Sequence, residues 1–241
     1  MDRRIPVDVI FLDIDGVLLP FGSAKKNQSH QNGDQWKDCL FPKSTMNALT
    51  ALLHRVSEIS IKHNNETIKG NPVIVLSSTW RAQQEFIKDI LNSFKAYVKH
   101  QVVERQQLQD SSVQKIWEPH LDAMFSLVDP TYHGHRVDEI FSWIDEHVGE
   151  ENSRKNNSST KKRKRRTPQE LECTSTVTDF QVRSWIALDD EDLVNVEEGR
   201  TEKKAEKFAV KTESSIGLTL QDVTKGLMLI EDQIRQFYHI T

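Results

Sequence analysis

Two aspartates at the end of an apolar run are the residues of this chain best suited to chemistry. Asp13 and Asp15 follow the run that ends at Leu12, with one residue between them. In a β-strand the side chains alternate, so both carboxylates would lie on one face at the strand's end. Carboxylates this close repel each other unless a cation lies between them or one keeps a proton. The pair indicates a metal site, or a nucleophile beside a general acid/base, with an Asp-Gly hairpin turn as the structural alternative.

Further polar residues follow later apolar runs in the same way. Ser77 comes after a β-branched run, Asp189 and Asp190 end another, and Arg136 opens an amphipathic segment after a third. Carboxylates hold hard divalent cations through oxygen, while a hydroxyl and a guanidinium hold phosphate oxygens. These residue types together therefore predict a site for Mg²⁺ and a phosphoryl group.

The elements that must position these residues alternate between strand and helix. Alternation predicts an α/β, Rossmann-like fold with a mostly parallel sheet flanked by helices. All strands of such a sheet end at one edge, where ligands bind. That edge is expected to collect residues that are far apart in the chain: Asp13, Asp15, Ser77, Arg136, Asp189 and Asp190.

Local signals refine the expected elements. Ser44 follows a proline and is predicted to cap a helix whose apolar residues recur up to Ile59. Thr219 and Asp222 have the spacing of a capping box at the start of the last helix. A polar turn, a stretch without a clear pattern and a short strand are expected at 62–71, 95–120 and Met124–Val128.

Size and composition predict one domain over residues 1–241. The chain is 37% hydrophobic with a formal net charge of −4, which suits a sizeable core and excludes a polycation. Cys39 and Cys173 lie far apart, which favours a reducing compartment without a disulfide framework. No stretch reaches membrane-spanning length, so an intracellular protein without a membrane partner is expected.

Two segments are predicted as insertions. Residues 17–43 form a long polar loop that follows the Asp13 strand, which makes it an active-site loop by position. Residues 149–180 are a low-complexity, disordered insert that carries the basic run Lys161–Arg166. The run predicts a nuclear import signal bound by an importin, or a nucleic-acid tether, and a solvated charge run is the plain alternative. Because the insert joins a helix to a strand, we expect it at the sheet edge opposite the site.

In these motifs the chain resembles the haloacid dehalogenase (HAD) superfamily of phosphohydrolases. Phe11–Val17 is similar to its first motif, Ser77 to its hydroxyl motif and Leu188–Asp190 to its acidic motif. The segments Leu76–Arg81 and Arg136–Trp143 resemble a narrower group, the HAD domains of Swiss Army Knife RNA repair proteins. The third motif of the superfamily is usually a lysine.

Arginine stands where the resemblance leads one to expect that lysine. Arg136 can fork onto two phosphate oxygens but cannot act as a base. Lys115 is the weaker candidate for the same role.

The resemblance implies a Mg²⁺-dependent phosphatase with an aspartyl-phosphate intermediate. Asp13 would attack phosphorus, and Asp15 would protonate the leaving oxygen and then deprotonate the incoming water. The ion would be bound by Asp13, by the backbone carbonyl of Asp15, and by Asp189 or Asp190, of which Asp190 is favoured.

The same resemblance implies how the phosphate is held. Ser77 and Arg136 would take the charge that builds on the equatorial oxygens. By their position after a strand, Ser78 and Arg81 are also expected to bind substrate, with a helix-dipole or surface role as the alternative for Arg81 and with Ser78 or Thr79 capping the next turn of helix.

The gaps between motifs leave no room for a full cap domain. Many HAD enzymes carry a cap after the first motif or after the third strand, and here those gaps are only 17–43 and 129–136. An open site suits a bulky phosphoester such as a nucleic-acid end or a phosphoprotein. The alternative is a catalytically silent HAD scaffold in the nucleus that acts through its basic insert.

Overall fold

A five-stranded parallel sheet forms the centre of the protein. The structure is a computed structural model that describes residues 5–22, 38–63, 66–105, 112–122, 125–127, 136–147, 180–193 and 207–239. In chain order its elements are β1 (Ile5–Leu12), α1 (Lys43–Glu58), β2 (Ser60–His63), β3 (Glu66–Lys69), β4 (Pro72–Leu76), a 3-10 turn (Thr79–Ala82), α2 (Gln84–Arg105), α3 (Ser112–Leu121), β5 (Phe125–Ser126), α4 (Arg136–His147), β6 (Phe180–Asp189), β7 (Ala209–Lys211) and α5 (Leu220–Phe237). The strand order is β5-β4-β1-β6-β7. The α/β fold with a mostly parallel sheet is therefore confirmed.

The central strand β1 is buried on both faces, which explains its continuous apolar sequence. Ile10 and Leu12 belong to a core shared with α1, α2, α3 and α5, whereas Val9 and Phe11 belong to a second core shared with α4. The Phe11 ring meets the Trp143 ring of α4 edge-on, with centroids 5.4 Å apart. Each fully buried aliphatic side chain contributes about 1.5–3 kcal/mol, so β1 is firmly held between the two layers.

Several local expectations are confirmed at the chain's later elements. Thr219 and Asp222 form a capping box with reciprocal bonds between side chain and backbone. The short strand β5 lies inside the segment predicted for it. In the stretch without a clear pattern, α2 continues to Arg105 and α3 begins at Ser112.

The prediction that Ser44 caps the first helix is wrong. The helix α1 begins at Lys43 with Pro42 in the cap position and no side-chain cap. Instead, the Thr45 hydroxyl lies within hydrogen-bond distance of the Leu18 carbonyl, at 2.9 Å, and of the Pro42 carbonyl, at 3.0 Å. A contact with the segment after β1 therefore fixes where the helix starts.

The polar turn expected over 62–71 is also wrong, because β2 and β3 form an antiparallel hairpin there. Ile61 and Ile68 are register partners among otherwise polar residues, which conceals the strand pattern. At its end, a Cβ on Gly70 would lie 1.7 Å from the Val56 carbonyl oxygen, so only glycine fits.

Parts of the two predicted insertions lie outside the described residues. These parts are 23–37 of the active-site loop and 149–179 of the basic insert. The single-domain division and the roles of Lys161–Arg166 stay predictions. No described helix has both the length and the apolar composition needed to cross a membrane.

A buried ion pair ties the central strand to β6. The Asp8 carboxylate is fully buried and accepts hydrogen bonds from Arg183, from the Ser184 hydroxyl at 2.7 Å and from the Asn71 backbone N–H at 2.9 Å. These donors satisfy both carboxylate oxygens, which is the condition for a buried charge to be tolerated.

Removing one partner of this pair should leave an uncompensated buried charge. We expect Asp8→Ala to lower the free energy of unfolding by about 3–5 kcal/mol in urea titrations. Lys95→Ala breaks the exposed pair with Asp122 and should change it by no more than about 0.5 kcal/mol. Equal effects of the two variants would contradict a structural role for the buried pair.

His120 is a titratable group inside the helical layer. It is 6% exposed, its ring lies edge-on to Trp117, and its Nε2 has no hydrogen-bond partner among the described residues. Burial lowers the pKa of His120 to about 4 from 6.5, because the apolar surroundings disfavour the charged ring.

Between pH 6.5 and about pH 4, His120 therefore binds a proton in the unfolded chain but stays neutral in the folded chain. Stability should therefore fall with acidification through this window, by at most about 3 kcal/mol from His120. We expect His120→Leu to remove this contribution, so the stability difference between variant and wild type should change steadily from pH 6.5 to 4. A difference that stays constant with pH would contradict the burial of a neutral ring.

Candidate active site

The register of the sheet aligns three of the predicted residues. Asp189 is the last residue of β6, and Asp13 and Ser77 directly follow β1 and β4. The Asp13 N–H donates to the Leu188 carbonyl, and the Ser77 N–H donates to the Leu12 carbonyl, both at 3.0 Å. These three residues therefore lie side by side across the end of the sheet, as the parallel topology predicted.

Three carboxylates converge at this edge. Oxygens of Asp13, Asp189 and Asp190 all lie within 4.8 Å of one another, and the first two side chains are almost fully buried. Gly16 makes room for the third, because a Cβ there would lie 2.3 Å from the Asp190 Oδ2. Gly16 also has a φ of 71°, which favours glycine. Hard carboxylate oxygens at this spacing fit a divalent cation.

Arg136 lies directly against this acidic cluster. Its Nη1 is 3.1 Å from the Asp13 Oδ1 and 2.6 Å from the Asp189 Oδ2. Burial alone lowers the pKa of Arg136, but the charges of Asp13 and Asp189 outweigh it and raise the pKa overall. The structure thus brings Arg136 to the site, whereas Lys115 lies on the exposed surface of α3.

The buried carboxylates hold their negative charge at a cost. Burial raises the pKa of Asp13, and neighbouring Arg136 only partly opposes this. Burial likewise raises the pKa of Asp189 to about 6; Arg136 opposes the shift, and the nearby Asp13 charge adds to it. A bound cation would relieve this repulsion, so the electrostatics favour one.

Asp15 lies beside the cluster with a different partner. Its Oδ2 accepts a hydrogen bond from the Trp80 indole Nε1 at 2.9 Å, and its side chain is not among the three clustered carboxylates. Its expected place among the metal ligands rested on the backbone carbonyl, and that role and its acid/base role stay predictions.

The two serines after β4, Ser77 and Ser78, have different surroundings. The Ser78 hydroxyl accepts a hydrogen bond from the Trp80 N–H at 3.4 Å and so caps the 3-10 turn. The same side chain hydrogen-bonds the Asp13 carboxylate, which lowers the pKa of Asp13 against the effect of burial. Ser77 is buried in the same row as Asp13. The phosphate-binding roles of both hydroxyls stay predictions.

Arg81 is bound by the protein itself. Its Nη2 lies 2.8 Å from both carboxylate oxygens of Glu139, and its Nη1 donates to the carbonyls of Ser77 and Ser78. The Arg81 side chain is 6% exposed. Its substrate-binding role stays a prediction, and these contacts favour a role in holding the turn after β4 against α4.

Sequence reasoning missed Trp80 and Glu139 as site residues. Both lie inside motifs that were recognised, but their partners are Asp15 and Arg81, 65 and 58 positions away. No spacing rule in the sequence links side chains across such distances. For Glu139, the available sequence signal was its position, one helical turn after Arg136 in the same predicted helix.

A known protein family matches the part of the chain that contains Asp13, Ser77 and Arg136. The model of the HAD domain in Swiss Army Knife RNA repair proteins matches residues 9–157, more than half of the chain. Neither the curated proteins nor the solved structures contain a significant match. The family match ends before Asp189 and Asp190, so their convergence on Asp13 is a separate observation.

The clustered carboxylates should make stability depend on a divalent cation. We expect MgCl2 to raise the free energy of unfolding of the wild type in urea titrations, by about 2.7 kcal/mol at about 100 times the dissociation constant. Asp190→Asn should lose most of this gain, because it removes one anionic ligand. Asp122→Asn, whose side chain is 90% exposed, should keep it. A gain of equal size in all three proteins would contradict binding at the cluster.

Proposed function

The chain belongs to the family of HAD domains in Swiss Army Knife RNA repair proteins, and we propose that it is a Mg²⁺-dependent phosphohydrolase with an aspartyl-phosphate intermediate. One observation carries the proposal. Carboxylates from distant parts of the chain, Asp13, Asp189 and Asp190, meet within 4.8 Å beside the guanidinium of Arg136. The family suggests that the chain is a HAD-type phosphohydrolase.

The donor set supports Mg²⁺ as the cofactor. Asp13, Asp189 and Asp190 would hold the ion through carboxylate oxygens, which magnesium prefers. When bound, Mg²⁺ supplies positive charge that offsets the repulsion between the Asp13 carboxylate and the phosphate oxygens.

Asp13 is the proposed nucleophile. It lies at the carboxyl end of the central strand, where Arg136 and Ser78 contact its carboxylate. A bond forms from its carboxylate oxygen to phosphorus as the bond from phosphorus to the leaving oxygen breaks. Asp15 gives its proton to that leaving oxygen. In the second step Asp15 takes a proton from water as the water oxygen bonds to phosphorus and the bond between Asp13 and phosphorus breaks, which releases inorganic phosphate and restores the Asp13 carboxylate.

Arg136 is proposed to fill the place of the family's lysine. Its contacts with Asp13 and Asp189 offset part of the negative charge of the cluster. A guanidinium cannot release its proton, so its part is electrostatic: it positions Asp13 and helps to hold charge on the transferring phosphoryl group.

A bulky phosphoester, such as a nucleic-acid end, is the proposed substrate class. The gaps 17–43 and 129–136 are too short for a full cap domain, which leaves the site open to a large molecule. The family's link to RNA repair supports the same class.

Oligonucleotides with phosphorylated ends should be hydrolysed with a higher kcat/KM than small phosphorylated metabolites, and the reverse order would contradict this substrate class.

Activity on a generic aryl phosphate tests the reaction itself. We expect Mg²⁺-dependent hydrolysis by the wild type and a loss of about 10³-fold or more in kcat for Asp13→Asn, because the amide cannot attack phosphorus. Asp122→Asn removes an exposed carboxylate that pairs with Lys95 and is not among the clustered carboxylates, so it should keep wild-type activity. Equal activity in Asp13→Asn and the wild type would reject Asp13 as the nucleophile, whereas a wild type without Mg²⁺-dependent activity would favour the alternative, a silent scaffold.

A further inference from the structure

The indole of Trp80 makes a directed contact with the proposed acid/base residue. Its Nε1 lies 2.9 Å from the Oδ2 of Asp15. Within the described ranges, no hydrogen bond reaches the other oxygen, Oδ1, and the Asp15 side chain is half-buried. The two oxygens of this carboxylate therefore have different surroundings.

The chemistry of an indole makes this difference consequential. An indole N–H can only donate, so the oxygen that it contacts must accept in every state of Asp15. When Asp15 is a carboxylic acid, Oδ2 is the carbonyl-type oxygen and the proton is on Oδ1. When Asp15 is a carboxylate, the same N–H···Oδ2 bond persists. The carboxyl group can then give and take a proton through Oδ1 without rotating.

The indole is itself fixed at several points. The Trp80 backbone N–H donates to the Ser78 hydroxyl, and its ring packs on the Phe86 ring with centroids 5.2 Å apart. The turn that carries Trp80 is held through Arg81, which donates to the carbonyls of Ser77 and Ser78 just before the turn and binds the Glu139 carboxylate of α4. A group held in this way can impose its orientation on Asp15 rather than follow it.

We infer that Trp80 is a positioning residue that directs the Oδ1 of Asp15, and the proton it carries, toward the leaving oxygen of the substrate. The inference rests on the proposed function, because it assigns a partner to the acid/base residue of that reaction. The role of Trp80 is identified by the hydrogen bond between its indole and the Asp15 carboxylate. A purely structural Trp80 would fill space between the 3-10 turn and α2 and would need no N–H.

Two variants separate these roles. Trp80→Phe removes the N–H and keeps an aromatic ring, whereas Phe86→Leu loosens the packing and keeps the N–H. The measured quantity is kcat/KM, which reports the steps up to departure of the leaving group. It is compared for an aryl phosphate with an acidic leaving group and for an alkyl phosphate with a basic one.

Proton donation matters most when the leaving oxygen is basic. We expect Trp80→Phe to lower kcat/KM for the alkyl phosphate about 10-fold more than for the aryl phosphate. Phe86→Leu should lower both by the same factor. Equal losses on the two substrates in Trp80→Phe would overturn this inference alone, while a wild type without activity on either would overturn the proposed function and this inference with it.

A second measurement needs no activity. In ¹H–¹⁵N spectra, the Trp80 indole resonance can be assigned by its absence from Trp80→Phe. It should shift clearly in Asp15→Ala, which removes the acceptor, and stay close to its wild-type position in Asp122→Asn, which changes an exposed side chain paired with Lys95. An indole resonance that Asp15→Ala leaves in place would overturn the hydrogen bond on which the inference depends.

Discussion

The concentration of negative charge at the end of the central strand is the constraint on which the rest of the structure depends. Asp13, Asp189 and Asp190 meet in a largely buried place, where like charges repel strongly. Arg136 offsets part of that charge, and the remaining negative charge favours a bound cation. This arrangement requires a glycine at position 16, because any side chain there would displace Asp190.

The helix α4 connects this charge to the packing of the domain. Arg136 reaches the carboxylates, while Glu139, one turn further on, binds Arg81 in the turn after β4. The opposite part of the same helix packs through Trp143 on Phe11 of β1. One helix thus sets the distances between the Arg136 guanidinium, the Asp13 carboxylate and the segment after β4 that contains the serines and Trp80.

Much of the fold and part of the site follow from the sequence, for identifiable physical reasons. Parallel strands end at one edge, so the meeting of Asp13 with Asp189 and Asp190 could be predicted from residues far apart in the chain. The hairpin of β2 and β3 could not, since most of its residues are polar. Contacts between distant side chains, such as Trp80 with Asp15, and the start of α1, set by Thr45 bonding Leu18, depend on the assembled tertiary structure.

The central claim is that Asp13 becomes phosphorylated during turnover, and trapping that species tests it most directly. Wild-type protein is mixed with Mg²⁺ and a phosphoester that carries radioactive phosphorus, quenched in acid within the first turnover, and digested. The account predicts a hydroxylamine-sensitive label on the peptide that contains Asp13, with no label in Asp13→Asn. Release of phosphate without any labelled protein, or a label that persists in Asp13→Asn, would contradict it.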